Sequence, residues 1–439
     1  MPKSSPGKDF ETNSSGSGNE RKLLLFDLFA TGHHAGYILH LVRYWREQKL
    51  PGSLDVLVTP KFMQLHPDVI NTALEGGQSN INFVTISPEE EAVLKSEDST
   101  VERLVRAFQE GNLLDKYARK LEPTQCLLMY FDSILLSLAF RGRFPCPLAG
   151  IYFRPIFHYS DFADFTPLRH ERILQLRDKF ALSRLLSNSQ FQTLFCLDPL
   201  AVEPIRRFNS HVKVIYLPDP VQIYRDSDSK LEKLREKLEI EPGRKVFLMF
   251  GVLNKRKGIY QLLEAIALLP AHICQKFCLL LVGPIDSESL IQTRIAELSE
   301  SLPVQIIGYE KFVPDREIQP YFQISDVILA PYQHHIGMSA IQVRAAAAQK
   351  PLLSSNYGLM GEIVKRNRLG ITVDSTLPSE IAKGLTQFLL REPTEFCDLH
   401  SMKSFAEQNA AEKFASTLFE HLQPHHDMQL TPPTELYDQ

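Results

Sequence analysis

The 439-residue chain has no apolar run near the ~20 residues that cross a bilayer, which excludes a helical integral membrane protein. It has no excess of positive charge either. The 48 Lys and Arg against 52 Asp and Glu leave a formal charge of −4, so no global electrostatic attraction to nucleic acid is expected. Cysteine is sparse. Cys126, Cys146, Cys196, Cys274, Cys278 and Cys397 are scattered, and the close pair Cys274 and Cys278 has no second His or Cys pair at metal-ligand spacing. Reduced core thiols and a cytoplasmic setting are therefore expected. No D-x-D pair of acids stands at a strand end, and the opening "MPKSSPGKDFETNSSGSGNER" is polar, reading as a disordered tail rather than a signal peptide.

What the chain does have is alternation. Apolar runs such as "KLLLFDLF" (22–29), "LDVLVTP" (54–60), "CLLMYFD" (126–132) and "LAGIYFR" (148–154) alternate with helical patterns, among them 35–48, 100–121 and 168–187. After a charged stretch, 224–245, a second series opens with "KVFLMFGVL" (245–253) and "FCLLLVGP" (277–284). Such alternation predicts parallel sheets with crossover helices, and the length suits two domains of about 200 residues. The expected α/β fold is two Rossmann-like doubly wound domains facing a cleft. Its parts are a tail (1–20), an amino-terminal domain (21–218), a linker with a helix (219–244), a carboxyl-terminal domain (245–400), a terminal helix packing back toward the first domain (401–423) and a flexible tail (424–439).

Ligands of open α/β sheets bind beyond the carboxyl ends of the strands, so the strand-to-helix loops are where chemistry is sought. In "VFLMFGVLNKRKGIYQLLEAIALL" an apolar strand ends at Gly251, and Lys255, Arg256 and Lys257 precede Gly258 and an amphipathic helix. A helix N-terminus beside an ammonium group is an anion site; a solvated basic loop is the plainer alternative. Further strand ends supply Gly283, Gly308 with Tyr309, then Asp326 opening "DVILAPY" with Tyr332, Gly337 and Ser339 before an Ala-rich helix, and finally Gly358, Gly361 and Glu362.

In this order and spacing the residues resemble the carboxyl-terminal domain of GT-B glycosyltransferases, specifically the large retaining family 4, over roughly residues 245–390. The resemblance implies a hexosyltransferase with a nucleotide-diphosphate sugar as donor substrate, retention of configuration, and no cofactor or metal. It implies a sugar, lipid-linked or other hydroxyl acceptor held by the first domain. Carried over by position, Lys257 meets the donor diphosphate, with Arg256 adding charge one turn away. Gly337 and Ser339 cradle the same phosphates with a helix N-terminus, and Tyr332 fits a branch that reads "PY…G-x-S". Gly308 and Tyr309 lie beside the base, and Glu362 lies on the ribose or sugar side. Gly251, Gly283 and Gly358 complete the donor set. Two departures stand out: Val252 occupies the place of the family's usual arginine, and Ile336 and Arg344 those of two glutamates. They keep open a second reading, a catalytically weak GT-B homologue that binds a nucleotide sugar or a protein partner.

The first half supplies Gly32, His33 and His34 after the first strand, where the resemblance implies contacts beneath the donor phosphates; a solvated histidine pair is the alternative. Asp132 is either an acid at the acceptor site, and a third catalytic candidate with Lys257 and Glu362, or an N-cap for "SILLSLAF". Arg154, at another strand end, can face an acceptor charge. The helix 168–187 carries Arg169, Arg172, Arg177, Lys179 and Arg184, a pattern similar to helices with which members of the family contact the inner face of a membrane. Glu171 and Asp178 dilute that charge, which favours an ordinary surface helix.

Overall fold

The computed structural model describes residues 21–422 except 76–79, 97–98, 163–164, 166, 168, 209–210, 225–226 and 286–287. The expected terminal tails lie outside the described residues. The first sheet is built from β1 (Lys22–Phe26), β2 (Ser53–Val58), β3 (Ile81–Thr85), β4 (Gln125–Leu128), β5 (Leu148–Tyr152), β6 (Phe191–Cys196) and β7 (Lys213–Tyr216). The second is built from β8 (Lys245–Phe250), β9 (Phe277–Val282), β10 (Gln305–Tyr309), β11 (Val327–Ala330), β12 (Leu352–Ser355) and β13 (Gly370–Val373). Their spatial orders are β3-β2-β1-β4-β5-β6-β7 and β10-β9-β8-β11-β12-β13, with parallel pairing throughout, as where Phe26 registers with both Leu57 and Leu128.

These strands read as unbroken apolar runs because helices cover both faces of each sheet. Leu23, Leu24 and Leu25 alternate between two cores, one with Ile38, Leu41 and Trp45, the other with Leu114, Leu135 and Leu182. The second sheet repeats the plan, with Leu262, Ile266 and Leu385 on one face and Phe322, Val343 and Ile363 on the other. The six cysteines are all free, five of them buried.

Two sequence expectations change. The first strand stops at Phe26, three residues early, because the buried Asp27 turns inward and accepts from the Phe29 amide (3.0 Å) and from His34 Nδ1 (2.8 Å). The terminal helical stretch is two helices. Leu399–Gln408 packs Met402 and Phe405 into the second domain, and Ala411–His421 packs Phe414, Leu418 and Phe419 into the first. At the break Asn409 holds the linker: it accepts from Tyr216 Oη (3.1 Å) and from the Asp219 amide (3.3 Å), and Ala410 bridges Val221. The chain thus crosses between domains at two adjacent places. A third tie is the segment after β5, whose Ile156, Tyr159, Phe162 and Phe165 pack into the core of the second domain.

Each sheet reverses its winding once, between β1 and β4 and again between β8 and β11. At such a reversal the loops on neighbouring strands leave toward opposite faces and open a crevice, which is where doubly wound sheets take ligands.

Candidate active site

In the second domain the reversal brings the loops after β8 and β11 together. Asn254 caps a short turn, Lys255–Lys257, and accepts from the Lys257 amide (3.2 Å). The chain then enters the helix Ile259–Ala267 through Gly258 at φ +79°. A Cβ at Gly258 would stand 2.1 Å from the carbonyl oxygen of Pro331, so only glycine lets the two loops meet. Gln333 locks them: its amide donates to Arg256 O (2.8 Å), and its side chain donates to Pro331 O (2.9 Å) and Ser375 O (2.7 Å).

Lys257 is turned into this junction and is 7% exposed. Its Nζ donates to Phe250 O (2.6 Å) and Tyr332 Oη (2.7 Å) and lies 4.7 Å from the Tyr332 ring centre. Gly251 is the floor: a Cβ there would meet that Nζ at 2.8 Å. Two of the three ammonium hydrogens are thus committed to fixing its position. Tyr332 Oη is 3.4 Å from Ser339 Oγ, and Ser339 is the N-cap of the helix Ala340–Ala347 with its hydroxyl uncommitted to capping. The amino end of that helix, the Ser339 hydroxyl and the ammonium therefore converge on one place. Arg256 also lies over this ring, 5.5 Å from the Tyr332 ring centre, and 3.3 Å from His335 Nδ1. His335 is held to a pKa of about 4, chiefly by burial and then by Arg256, Lys257 and Arg154.

In the first domain the crevice between β1 and β4 is lined by rings. His34 is buried on Asp27 and stacks on Phe29 (4.8 Å) and His33 (4.5 Å). His33 keeps solvent-exposed surface yet sits among Phe153 (4.9 Å), Tyr37 (5.2 Å) and Tyr130 (6.2 Å). This crowding, with smaller contributions from His34 and Arg154, pushes its pKa down to about 3. Gly32 is exposed at φ +79°. With one nitrogen of His34 given to Asp27, the histidine pair is a wall rather than a chelate. Among the described residues no group of three or more His, Cys, Asp or Glu stands together as a metal-ligand set.

Asp132 caps nothing on its own helix, Phe131–Ala139, whose N-cap is Tyr130. Its oxygens accept from the amides of Phe153 (2.8 Å) and Arg154 (2.9 Å), and burial, opposed by Arg154 and those amides, raises its pKa to about 6. Gly283, Gly308 and Tyr309 line the carboxyl edge of β9 and β10; the Gly283 amide donates to Tyr309 O (2.8 Å), and the Tyr309 ring lies 5.8 Å from Tyr321. Gly358, at φ +60°, approaches His335 O. Glu362 is committed to Arg366 one turn on (Oε2 to Nε 3.0 Å). At the departures, Val252 is 51% exposed and Ile336 packs on apolar core, while Arg344 is buried against Asp315. His335, Tyr130 and Asp27 belong to the candidate site although the sequence did not single them out; each sits within five residues of a flagged position, but its partner is remote in sequence or its role depends on burial. Two hollows, of about 450 Å³ by Thr124, Gln125 and Lys213 and about 390 Å³ by His40, Arg43 and Gln222, lie away from this cleft. The first lies at the amino ends of the strands, where such sheets place no chemistry.

Residues 231–408 match the family described as glycosyl transferases group 1. The chain is 29% identical over 210 residues to YtcC of Bacillus subtilis, whose name assigns it provisionally to the glycosyltransferases (45% of this chain, 50% of that one). It is 27% identical over 207 residues to the D-inositol 3-phosphate glycosyltransferase of Corynebacterium jeikeium (45% and 48%). The chain spans about half the length of the curated relatives it matches. Among solved structures, a glycosyltransferase of Rickettsia africae superposes with a TM-score of 0.59 at 13% identity, covering 92% of this chain and 98% of that one. Alr3699/HepE of Anabaena, solved with UDP and also with UDP-glucose, superposes with a TM-score of 0.62 at 14% identity, covering 91% and 99%. The fold is GT-B, and residues 231–408 are similar to the glycosyl transferases group 1 family. The resemblance read from the sequence is borne out.

Proposed function

We propose that this chain is a glycosyltransferase that moves a sugar from a nucleotide-diphosphate donor to an acceptor hydroxyl, with retention and without a metal. The observation that carries the reading is the Lys257 ammonium, held against Gly251 by Phe250 O and Tyr332 Oη beside the N-terminus of the helix Ala340–Ala347. As the anomeric carbon–oxygen bond breaks, negative charge grows on the leaving diphosphate. A fixed ammonium and oriented amides meet that charge without reorganising, and one such donor is worth ~3 kcal/mol. The departing diphosphate takes the acceptor proton as the new bond forms. The Anabaena complexes with UDP and UDP-glucose support a nucleotide sugar as donor, and the name of the Corynebacterium relative supports a polyol phosphate or similar hydroxyl acceptor.

A thermal-shift panel of nucleotide sugars tests the donor. At a hundredfold excess over Kd, linkage stabilises the fold by about 2.7 kcal/mol. A rise with one base family is expected; no rise with any of them removes the reading. Binding without transfer or hydrolysis would favour the inactive homologue, for which Val252, Ile336 and Arg344 speak.

The acceptor side carries a second feature. No helix among the described residues is long and apolar enough to cross a membrane. On the helix Arg169–Leu186, however, the acids expected to dilute the positive charge are turned inward: Glu171 is 3% exposed, accepting from Tyr357 Oη (3.1 Å), and Asp178 is 8% exposed. Outside stand Ile173, Leu176 and Phe180 with Arg172, Arg177, Lys179 and Arg184. Apolar residues flanked by cations, of which Arg177 is paired with Asp178 (2.7 Å), suit an anionic bilayer surface, which is where a lipid-linked acceptor would reside. Sedimentation with phosphatidylglycerol vesicles, lost in phosphatidylcholine and in Ile173→Ser/Leu176→Ser/Phe180→Ser, is the expected result.

A further inference from the structure

Arg154 was a candidate for an acceptor charge, but its surroundings belong to both domains. Its Cγ lies 3.6 Å from where a Cβ would stand at Gly337, in the loop between β11 and the Ser339-capped helix. The side chain is 55% exposed and is aimed rather than loose. Tyr130 Oη accepts from Nη2, with the Tyr130 ring centre 5.9 Å from the guanidinium carbon, and Asp132 lies 3.9 Å from Nε. Asp132 also accepts from the Arg154 amide (2.9 Å), so one carboxylate fixes both the backbone and the head of this residue.

The charge of Arg154 is felt on both sides of the cleft. It helps depress the pKa of His33 in the first domain and of His335 in the second, where it acts with Arg256 and Lys257. A guanidinium that acts on a histidine in each domain stands between them. The loop after Gly251 itself begins with an uncharged residue, Val252, which is 51% exposed.

We propose that Arg154 is a ligand of the donor diphosphate, supplied across the cleft by the first domain and completing, with Lys257 and Arg256, a cradle of three cations. This rests on the nucleotide-sugar reading above. It makes the donor site a property of the domain pair: the carboxyl-terminal domain holds the diphosphate from one side, and full affinity requires the first domain to be in place. A guanidinium suits the task because its planar fork spans two phosphate oxygens, whereas Lys257 contributes a point charge.

The test is calorimetry on the full chain with UDP, ADP, GDP and inorganic pyrophosphate as probes, comparing Arg154→Ala, Arg154→Lys, Lys257→Ala and the remote surface control Arg294→Ala, with melting curves to verify folding. For the tightest probe, Arg154→Ala is expected to weaken binding about 10- to 100-fold, the range for a charge-assisted hydrogen bond. Arg154→Lys should recover part of the loss, Arg294→Ala should show none, and the salt dependence should flatten in Arg154→Ala. If Arg154→Ala fails to fold, Arg154→Lys carries the decision, and wild-type affinity together with an unchanged salt dependence would overturn the proposal. It is likewise overturned if Lys257→Ala loses affinity while Arg154→Ala keeps it, an outcome that leaves the nucleotide reading standing. If the wild-type protein binds none of the probes, both fall.

Discussion

The crevice between β8 and β11 and the crevice between β1 and β4 occupy the same topological position in two copies of one architecture, yet they are furnished differently. In the second domain glycine clears space and a buried lysine fills it: Gly251 and Gly258 let Lys257 and the Pro331 loop close to contact. In the first domain the same position is filled by stacked rings, His33, His34, Phe29, Tyr130 and Phe153, over one carboxylate, Asp27. A doubly wound sheet therefore determines where a ligand goes but not which ligand. On the reading proposed above, a cationic floor at a helix N-terminus would hold the diphosphate and a polar-edged aromatic wall the neutral sugar, so the two halves would divide the work of one reaction, with Arg154 reaching across from the first.

The sharpest break of that comparison is steric. Gly258→Ala is expected to cost about 3 kcal/mol, since a left-handed backbone and a clash with a carbonyl add. Gly32→Ala, with the same φ and nothing closer than the His34 ring at 3.9 Å, is expected to cost about 1 kcal/mol. Urea denaturation of both variants decides; equal costs would mean that the second crevice is no tighter than the first. Next in size is binding. Lys257→Ala should weaken nucleotide-diphosphate affinity by about 1–3 kcal/mol, whereas His33→Ala should change it by less than about 0.5 kcal/mol, measured by calorimetry. A large loss in His33→Ala would put the phosphates in the first domain.

The smallest effect is a pH dependence. The folded pKa of His335 lies at about 4, below the ordinary 6.5. As pH falls from 6.5 toward 4 the unfolded chain gains a proton that the folded chain refuses, so stability present above pH 6.5 is lost on acidification. Asp132 and Asp219, both raised to about 6 chiefly by burial, act with the opposite sign, adding stability as pH falls from 6 toward 4. His335→Asn should therefore flatten the acid-side decline in melting temperature; an unchanged decline would mean that His335 titrates normally. Bound diphosphate should raise the His335 pKa, so proton uptake on binding near pH 5 checks the same contact.

Much of the second domain was legible from Gly251, Gly258, Gly283 and "DVILAPY", because strand, turn and helix there are set by near neighbours. The first domain's helices were equally readable: the expected helix 100–121 is Thr100–Leu121. The split of the terminal helix was not, since Asn409 breaks it to hold the linker at Tyr216 and Asp219, nearly 200 residues away in the chain. Nor was the burial of Glu171 and Asp178: seven residues apart, they share a helix face with Gln175 and Ala181, but what that face meets, such as Tyr357 against Glu171, is remote in sequence.

By itself the sequence determined two parallel sheets, their helices and the glycine-bearing ends of their strands, because apolar runs, helical periods and turn residues act over a few positions. Only the tertiary structure decided that Lys257 lies against Tyr332, that Arg154 reaches Gly337 from the other domain, and that His34 rather than His33 takes Asp27. Those choices depend on which loops the strand order makes neighbours and on which charges lose water when they meet, and neither is encoded in local spacing.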